Sequence, residues 1–179
     1  MHKLTIEELH RISAEEFQAA QKLPVVVVLD NVRSMHNIGS VFRTADAFRV
    51  ARICLCGITA CPPNNEIHKT ALGAEDSVAW KYYESTLQAI GDLRREGYYI
   101  YCIEQVAEST KLDALLVPPQ QKSALVFGHE VKGVDAAVAN ACDAALEIQQ
   151  LGTKHSLNVS VSAGIVLWEF ARQLQYTKL

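Results

Sequence analysis

Three polar segments of this sequence hold side chains whose types and spacing suit binding or catalysis. They read Asn37-x-Gly39-x-x-x-Arg43, Gly128-x-Glu130-x-x-Gly133 and Ser156-Leu157-Asn158-Val159-Ser160-Val161. Four arginines stand against two aspartates between positions 30 and 52, and this local excess of positive charge suits a phosphate. Each segment lies beyond an apolar run typical of a strand, which is where open α/β sheets bind their ligands.

The first segment also has a simpler interpretation. Asn37 can cap a helix with its side-chain oxygen, Gly39 can admit a close backbone or a ligand, and Arg43 can be an ordinary solvated residue. On that interpretation the segment is a capped helix without a chemical role.

The second and third segments match none of the common catalytic or nucleotide-binding signatures. Gly128 and Gly133 frame Glu130, but the pattern is neither a Walker loop nor a dinucleotide fingerprint, and an ordinary strand-to-helix turn explains it equally well. Ser156 is a good N-cap. A serine hydrolase with His155 as its base is disfavoured, because the Gly-x-Ser-x-Gly elbow is absent and adjacent side chains diverge.

The elements that position these segments alternate between strands and helices. This alternation predicts an α/β fold with a mostly parallel sheet and helices on both faces. Val25–Leu29 is typical of a strand buried on both faces, and the apolar spacing after Asn37 predicts a helix. Further strands are predicted at Arg52–Cys56, Val78–Tyr83, Tyr98–Ile103, Ala124–Phe127 and Ala144–Ile148, and a helix from Ser85 through Glu96.

The N-terminal end of the chain has one predicted structure, whereas the pattern near the C-terminal end supports two. Thr5–Gln21 is predicted to be helical, because Thr5 and Ser13 each precede a pair of acidic residues. Residues 1–23 would then form a helical extension of a single domain that spans residues 24–179. Near the other end, Leu157–Val161 alternates like a strand, whereas the apolar spacing from Ala163 onward is that of a helix.

Composition limits the class of protein. The chain has 179 residues, of which 49% are hydrophobic, and a net charge of −3, so it can bury a core and is not a strongly basic module that binds nucleic acid by bulk charge. No apolar run approaches the roughly 20 residues of a membrane span, and the N-terminus lacks an apolar secretory core, so we expect a cytoplasmic protein. The five cysteines and six scattered histidines lack metal-ligand spacing, so we expect reduced, mostly buried thiols and no metal.

The order and wording of the three segments resemble the signature motifs of the SpoU/TrmH family of RNA methyltransferases, within the SPOUT superfamily. The resemblance covers about Pro24 to Phe170 and includes the segment Lys69–Ala74. It implies an S-adenosylmethionine-dependent enzyme that methylates a ribose 2′-hydroxyl in RNA. It also implies a homodimer, a C-terminal trefoil knot that holds the cofactor, and a helix from about Leu157, which we adopt over the alternating interpretation.

The resemblance also assigns roles to residues. Arg43 would be the central catalytic residue, either as the base or as a clamp on a phosphate that also stabilises the alkoxide. The other assignments are catalytic roles for Asn37, Glu130, Ser156 and Asn158, cofactor contacts for Gly128, Ile148, Leu157 and Glu104, and RNA contacts for Arg33, His36, Lys154 and His155. Asn37 would hold Arg43 or the ribose, and Glu130 would orient Arg43 or Asn37.

One departure from the family pattern and two rival functions remain. Gln149-Gln150 follows Ile148 where many relatives have Pro-Met, which changes the local shape of the cofactor loop. The rivals are a non-catalytic RNA-binding protein of the same fold and an α/β enzyme that acts on a nucleotide or another small molecule. Among RNAs the small size of the chain favours tRNA over rRNA.

Overall fold

The computed structural model describes residues 1–5, 8–9 and 11–174, which form a seven-stranded parallel sheet covered by helices. The strands are β1 (Leu23–Asp30), β2 (Val50–Cys56), β3 (Trp80–Tyr83), β4 (Tyr99–Ile103), β5 (Thr110–Lys111), β6 (Ser123–Phe127) and β7 (Ala144–Glu147). The helices are α1 (Ala14–Ala19), α2 (Met35–Ala47), α3 (Asn65–Ala71), α4 (Ala74–Ser77), α5 (Thr86–Arg95), α6 (Ala136–Asn140) and α7 (Val159–Gln173), with a 3₁₀ turn at Leu112–Ala114.

The sheet order is β3-β2-β1-β6-β4-β7-β5, and the strands pair in parallel. The run of valines in β1 lies between β2 and β6, where both faces of the strand are buried. The chain leaves β1 toward β2 and β3 on one side and later fills the other side with β4 to β7. Such a reversal of strand order opens a crevice at the carboxyl ends of the strands.

Helices cover both faces of the sheet. One core cluster contains side chains of α2 and α7, such as Phe42 and Phe170, against Val27 of β1. A second cluster, on the other face, contains Leu93 of α5 and Val138 of α6. The predicted α/β fold is therefore confirmed. The knot expected from the resemblance stays a prediction.

The predicted N-terminal helix Thr5–Gln21 is wrong in its extent. Within the described residues the helix α1 is confined to Ala14–Ala19, with a separate turn at residues 8–9, while positions 6, 7 and 10 of the predicted helix lie outside the described residues. Ser13 begins α1 through a capping box with Glu16, as its sequence position indicates. Phe17 is the one buried residue of α1, and it packs against the core. The division of the chain at residue 23 stays a prediction.

Six of the strands and the helix α5 occur within two residues of the predicted bounds, with Ser85 as the N-cap of α5. The two-residue strand β5 was not predicted. Sequence reasoning assigned no element to α3 and α4, which are short and joined at Leu72 in the left-handed conformation, with a φ of 54°. Within the described residues, no helix is long and apolar enough to cross a membrane. Burial raises the pKa of the Cys54 thiol to about 11, in keeping with a buried, unreactive cysteine.

Candidate active site

The three polar segments meet at the carboxyl ends of neighbouring strands. The first follows β1, the second follows β6 and the third follows β7, and in the sheet only β4 stands between the last two. The expectation that these segments share one edge of the sheet is therefore confirmed.

Glu130 joins the second segment to the first. Its Oε2 accepts a hydrogen bond of 3.0 Å from the main-chain N–H of Arg33, and its Oε1 accepts from the N–H of Ser34 at 2.9 Å. Oε1 also accepts from Nδ2 of Asn37 at 3.1 Å. The carboxylate therefore binds donors just before and within the first turn of α2, groups that no helical carbonyl can satisfy.

The same contacts determine the charge of Glu130. Burial acts to raise the pKa of the carboxyl group, but the hydrogen bonds from the N–H groups of Arg33 and Ser34 and from Asn37 outweigh it, so the pKa lies below its usual value. Glu130 is thus a fixed negative charge at the base of α2. A charged acceptor on two N–H groups is stronger than a neutral one, which makes this contact well suited to orient Asn37.

Asn37 joins the third segment to the other two. While its amide nitrogen donates to Glu130, its Oδ1 accepts a hydrogen bond of 3.0 Å from Nδ2 of Asn158. Asn158 in turn caps α7, since its Oδ1 accepts from the N–H of Ser160 at 2.8 Å. The line Glu130–Asn37–Asn158–Ser160 runs through all three segments.

Two predicted helix caps are wrong. The N-cap of α2 is Ser34, whose hydroxyl accepts from the N–H of Asn37, so the helix starts at Met35 rather than at Asn37. The N-cap of α7 is Asn158 and not Ser156. In the first case the shift leaves the side chain of Asn37 free to bind the other segments. A helix close to Leu157, as the resemblance implies, is confirmed, although it begins two residues later.

A cavity of about 590 Å³ opens beside this line of hydrogen bonds. Its floor is apolar, from Ile103, Phe127 and Leu146, and its walls come from the loops after β4, β6 and β7. All four predicted cofactor contacts line it, and so do four further predicted residues: Gly128, Ile148, Leu157, Glu104, Glu130, His155, Ser156 and Asn158. Cavities of this size hold small organic ligands and cofactors.

Close backbone packing shapes one wall of the cavity. A Cβ on Gly128 would lie 2.2 Å from the carbonyl carbon of Gly133 and from the nitrogen of Val134, so no other residue fits there. Gly133 has a φ of +69°, and a side chain on it would strike Glu104. Glu104 accepts hydrogen bonds from the N–H of Val134 at 3.1 Å and of Gln105 at 2.9 Å, so its carboxylate braces the loop as well as facing the cavity.

Arg43 lies apart from both the hydrogen-bonded line and the cavity lining. It is exposed on α2, and its side chain makes no hydrogen bond or ion pair within the described part of the chain. Of the two partners expected for Glu130, the structure therefore has Asn37 and not Arg43. Arg43 shares a face of α2 with His36, seven positions earlier, because seven residues make close to two helical turns.

Of the four predicted RNA contacts, three are exposed outside the cavity lining and one lines the cavity. Arg33 and Lys154 are exposed, and His36 is exposed and pairs with Glu66 through Nε2 at 3.2 Å. His155 lines the cavity, and its carbonyl accepts from Nε2 of Gln105 at 3.2 Å, which ties the third segment to the loop after β4. Their contact with RNA stays a prediction.

Comparison with known sequences assigns the chain to a family. The sequence profile described as the SpoU rRNA Methylase family matches residues 24–168. The chain belongs to this family. It is 30% identical over 93% of its length to a protein of Vibrio parahaemolyticus named 23S rRNA (guanosine-2′-O-)-methyltransferase RlmB, of which it covers 66%. It is 35% identical over 83% of its length to the protein of the same name from Nitrosomonas europaea, of which it covers 56%.

A solved structure has the same fold as this SpoU-family chain. An rRNA methyltransferase from Sinorhizobium meliloti, described as AdoMet bound, matches with a TM-score of 0.78 at 28% identity and covers 88% of this chain and 60% of the other. The chain spans less than two thirds of the length of the first curated relatives, 66%, 61% and 56% in turn. Within its described residues no group of three or more His, Cys, Asp or Glu side chains is arranged to hold a metal ion.

Sequence reasoning missed one residue that supports the site of this SpoU-family chain. Asp30 ends β1, is 1% exposed, and accepts hydrogen bonds from the hydroxyl of Thr86, from Nδ2 of Asn31 and from the N–H of Asp135. It thereby ties the start of α6, just after the second segment, to the central strand and to the start of α5. A charged residue that closes an apolar strand is the signal that could have revealed it, since a buried carboxylate needs several donors.

Proposed function

We propose that this chain transfers a methyl group from S-adenosylmethionine to a ribose 2′-hydroxyl of RNA. The observation that supports it best is the line Glu130–Asn37–Asn158, which joins all three family motifs beside a cavity of cofactor size. A non-catalytic RNA-binding protein of the same fold has no need for a half-buried, charged carboxylate that binds Asn37.

The residues of the cavity fit the cofactor. An adenosyl group needs apolar surface and main-chain hydrogen bonds, and Ile103 and Leu146 offer the first while Gly128, Ile148 and Leu157 bring main-chain groups to the lining. Glu104 would bind the charged tail with the acceptor capacity that the loop leaves free. When bound, S-adenosylmethionine supplies an electrophilic methyl group on a sulfonium that leaves readily, so the protein mainly has to position the ribose oxygen and assist the loss of its proton.

The residues of the chain divide that work. Glu130 fixes the amide of Asn37, and Asn158 binds the opposite end of that amide, so Asn37 holds one orientation toward a ribose. Ser156 and Asn158 form the far wall. Arg43 would bind an RNA phosphate and stabilise the alkoxide, or take the proton. The first role is preferred, because a guanidinium stays protonated in proteins and cannot easily act as a base.

The partners of the chain follow from the same site. The α7 residues Val161, Ile165 and Trp168 stand at helical spacing and are 50%, 38% and 52% exposed, an apolar stripe beside α2 that suits burial against a second copy of the chain. α2 and α7 run side by side, with Asn158 at Asn37 and Trp168 at Phe48, so this interface would bring Arg43 close to the subunit boundary. A homodimer with its site near that boundary is therefore part of the proposal.

The RNA class is the finer part of the proposal. The preference for tRNA rests on the small size of the chain, and the curated relatives, which are named for 23S rRNA, give it no support. Both RNAs are therefore substrates to test.

The test is transfer of tritium from labelled S-adenosylmethionine to rRNA and to tRNA, followed by digestion to nucleosides. We expect label in a 2′-O-methylnucleoside from one RNA pool, and none when Arg43→Ala is used. Label in a base, or in free nucleosides only, would contradict ribose methylation of RNA. Binding of S-adenosylmethionine without transfer to either pool would favour the non-catalytic alternative.

A further inference from the structure

A second cavity, of about 360 Å³, lies at the β3 edge of the sheet, away from the site described above. Its lining includes Asn65, His68, Asp76 and Trp80 beside the Pro62-Pro63 pair, and it shares none of these with the first cavity. Its volume is at the lower end of the range for ligand sites, roughly 300–1,000 Å³, and suits a flat ring system rather than a whole nucleotide cofactor.

Two aromatic rings stand at this edge. Trp80 and Tyr82 are 37% and 45% exposed, and since they are two residues apart on a strand they share one face. In the register of the sheet Trp80 is opposite Ile53 and Tyr82 is opposite Leu55, so the rings continue the apolar face of β2 beyond its helical cover. Exposed aromatic side chains on a strand are the surfaces on which single-stranded nucleic acids stack their bases.

The polar lining of the cavity selects the kind of base. Asp76 is exposed and its carboxylate makes no hydrogen bond within the described residues, so both carboxylate oxygens are available as acceptors. Glu75 is buried, accepts from the N–H of Gly73 at 3.0 Å, and holds Nδ1 of His68 at 2.6 Å, which fixes the ring of His68. Among the described residues, no lysine or arginine lines the cavity, which disfavours a phosphate there. A base that offers adjacent N–H groups is the best complement, and guanine offers N1–H and its amino group.

The helix α3 connects this cavity to the candidate active site. On one side of α3 the hydroxyl of Thr70 donates to the carbonyl of His36 at 2.9 Å, next to Asn37. This contact is close because Gly39 leaves room for the backbone of α3: a Cβ on Gly39 would lie 2.2 Å from the carbonyl oxygen of Ile67. Asn65 and His68 are on the other side of α3 by helical spacing. The second cavity thus lies about one helix diameter, roughly 10–12 Å, from the backbone of His36.

We propose that this cavity binds the guanine base of an RNA nucleotide near the one that is methylated, stacked on Trp80 and hydrogen-bonded to Asp76. Tyr82 would then support the next base along the strand. The proposal rests on RNA being the substrate, but the binding of the base itself does not depend on methyl transfer. The two therefore can be tested apart.

Tryptophan fluorescence provides the first test. The chain has two tryptophans, so Trp168→Phe leaves Trp80 as the reporter. Guanosine should quench that fluorescence saturably and at least about fivefold more tightly than adenosine or cytidine. Asp76→Ala in the same background should remove the preference, while Asp113→Ala, at an exposed acid outside the cavity, should not. Equal binding of all nucleosides, or no quenching, would overturn the proposal.

Kinetics on RNA provide the second test. Trp80→Ala should raise KM for RNA at least about fivefold, with kcat and the affinity for S-adenosylhomocysteine unchanged. Trp80→Phe should keep KM close to the wild-type value, because its ring still stacks on the base. An unchanged KM would overturn the base contact and leave the proposed function standing. Guanosine binding at Trp80 in a protein that transfers no methyl group to RNA would support the base site and overturn the proposed function.

Discussion

Nδ2 of Asn158 donates a hydrogen bond of 3.0 Å to Oδ1 of Asn37, which is 121 positions earlier in the chain. The opposite end of the Asn37 amide donates to Glu130 at 3.1 Å. If the Asn37 amide were turned over, its NH₂ group would face the NH₂ group of Asn158 and its oxygen would face the Glu130 carboxylate. Only one orientation is therefore stable. The three motifs are thereby set relative to one another by the chain itself.

The Asn37–Asn158 contact predicts energetic coupling in a double-mutant cycle. Asn37→Ala and Asn158→Ala should each destabilise the fold, Asn158→Ala by about 1 kcal/mol for the lost cap alone. Because the residues share a hydrogen bond, the double mutant should lose less than the sum, with an interaction of roughly 0.5–3 kcal/mol in urea unfolding. Asn64, which caps α3, provides the control, since Asn37→Ala and Asn64→Ala should add. Additive losses for the first pair would mean that the contact is not formed.

Glu130→Gln should lower stability in a pH-dependent way. The folded pKa of Glu130 is below its unfolded value of about 4.3, so its charge stabilises the fold above that value, and this contribution is lost as the pH falls through the folded pKa. We expect a loss of about 1.5–3 kcal/mol near pH 7, from weakened hydrogen bonds to a charged acceptor, that shrinks below about pH 4. Urea unfolding across that range measures it.

The control for this prediction is Glu108→Gln, at an exposed position. It should change the free energy of unfolding by less than about 0.5 kcal/mol at any pH. A loss for Glu130→Gln that is constant from pH 3 to pH 7 would mean that the shape of the side chain matters and its charge does not.

The sequence predicts those parts of the fold that local patterns determine. The valines of β1 and the cap of α5 at Ser85 are examples, because burial on both faces and a capping hydroxyl leave direct traces in neighbouring residues. The short helices α3 and α4 left no such trace, since neither is long enough to display a period.

For the candidate site, the sequence indicates which residues to consider better than it indicates which of them are in contact. Ser34 and Asn37 are both good caps three positions apart, and the sequence does not choose between them. The choice is made by Glu130, which is 93 positions from Asn37 and binds its side chain. Partners so far apart in the chain are fixed only by the packing of the sheet. The sequence alone therefore does not decide whether Glu130 binds Asn37 or Arg43.

Gly128→Val should weaken cofactor binding, because a Cβ at this position would lie 2.2 Å from backbone atoms of Gly133 and Val134 and would displace the wall of the cavity. We expect the dissociation constant for S-adenosylhomocysteine, measured by calorimetry on the folded fraction, to rise at least about tenfold. Gly91→Ala is a suitable control, as its Cβ would meet nothing within 4 Å. Unchanged affinity in the valine variant would remove Gly128 from the cofactor site.

The apolar stripe on α7 predicts a self-association interface. Replacing Ile165 by Glu should convert a dimer into a monomer in sedimentation equilibrium, because a charge in a buried interface is strongly unfavourable. Leu87→Glu, at an exposed apolar residue on α5, should leave the mass unchanged. A monomeric wild-type chain at the concentrations of the transfer assay would contradict the interface.

Arg43→Ala should separate catalysis from binding and folding. Since the Arg43 side chain is exposed and has no hydrogen-bond partner in the described chain, its loss should change the free energy of unfolding by less than about 0.5 kcal/mol. It does not line the cavity, so the affinity for S-adenosylhomocysteine should be unchanged. Methyl transfer should nevertheless fall at least about 10²-fold, the usual loss when a donor to a developing oxyanion is removed. Arg43→Lys should recover little, because an ammonium lacks the planar fork that binds a phosphate at two points, while Lys111→Ala, remote from the site, should be normal. Near-normal turnover of Arg43→Ala would show that the line Glu130–Asn37–Asn158 acts without it.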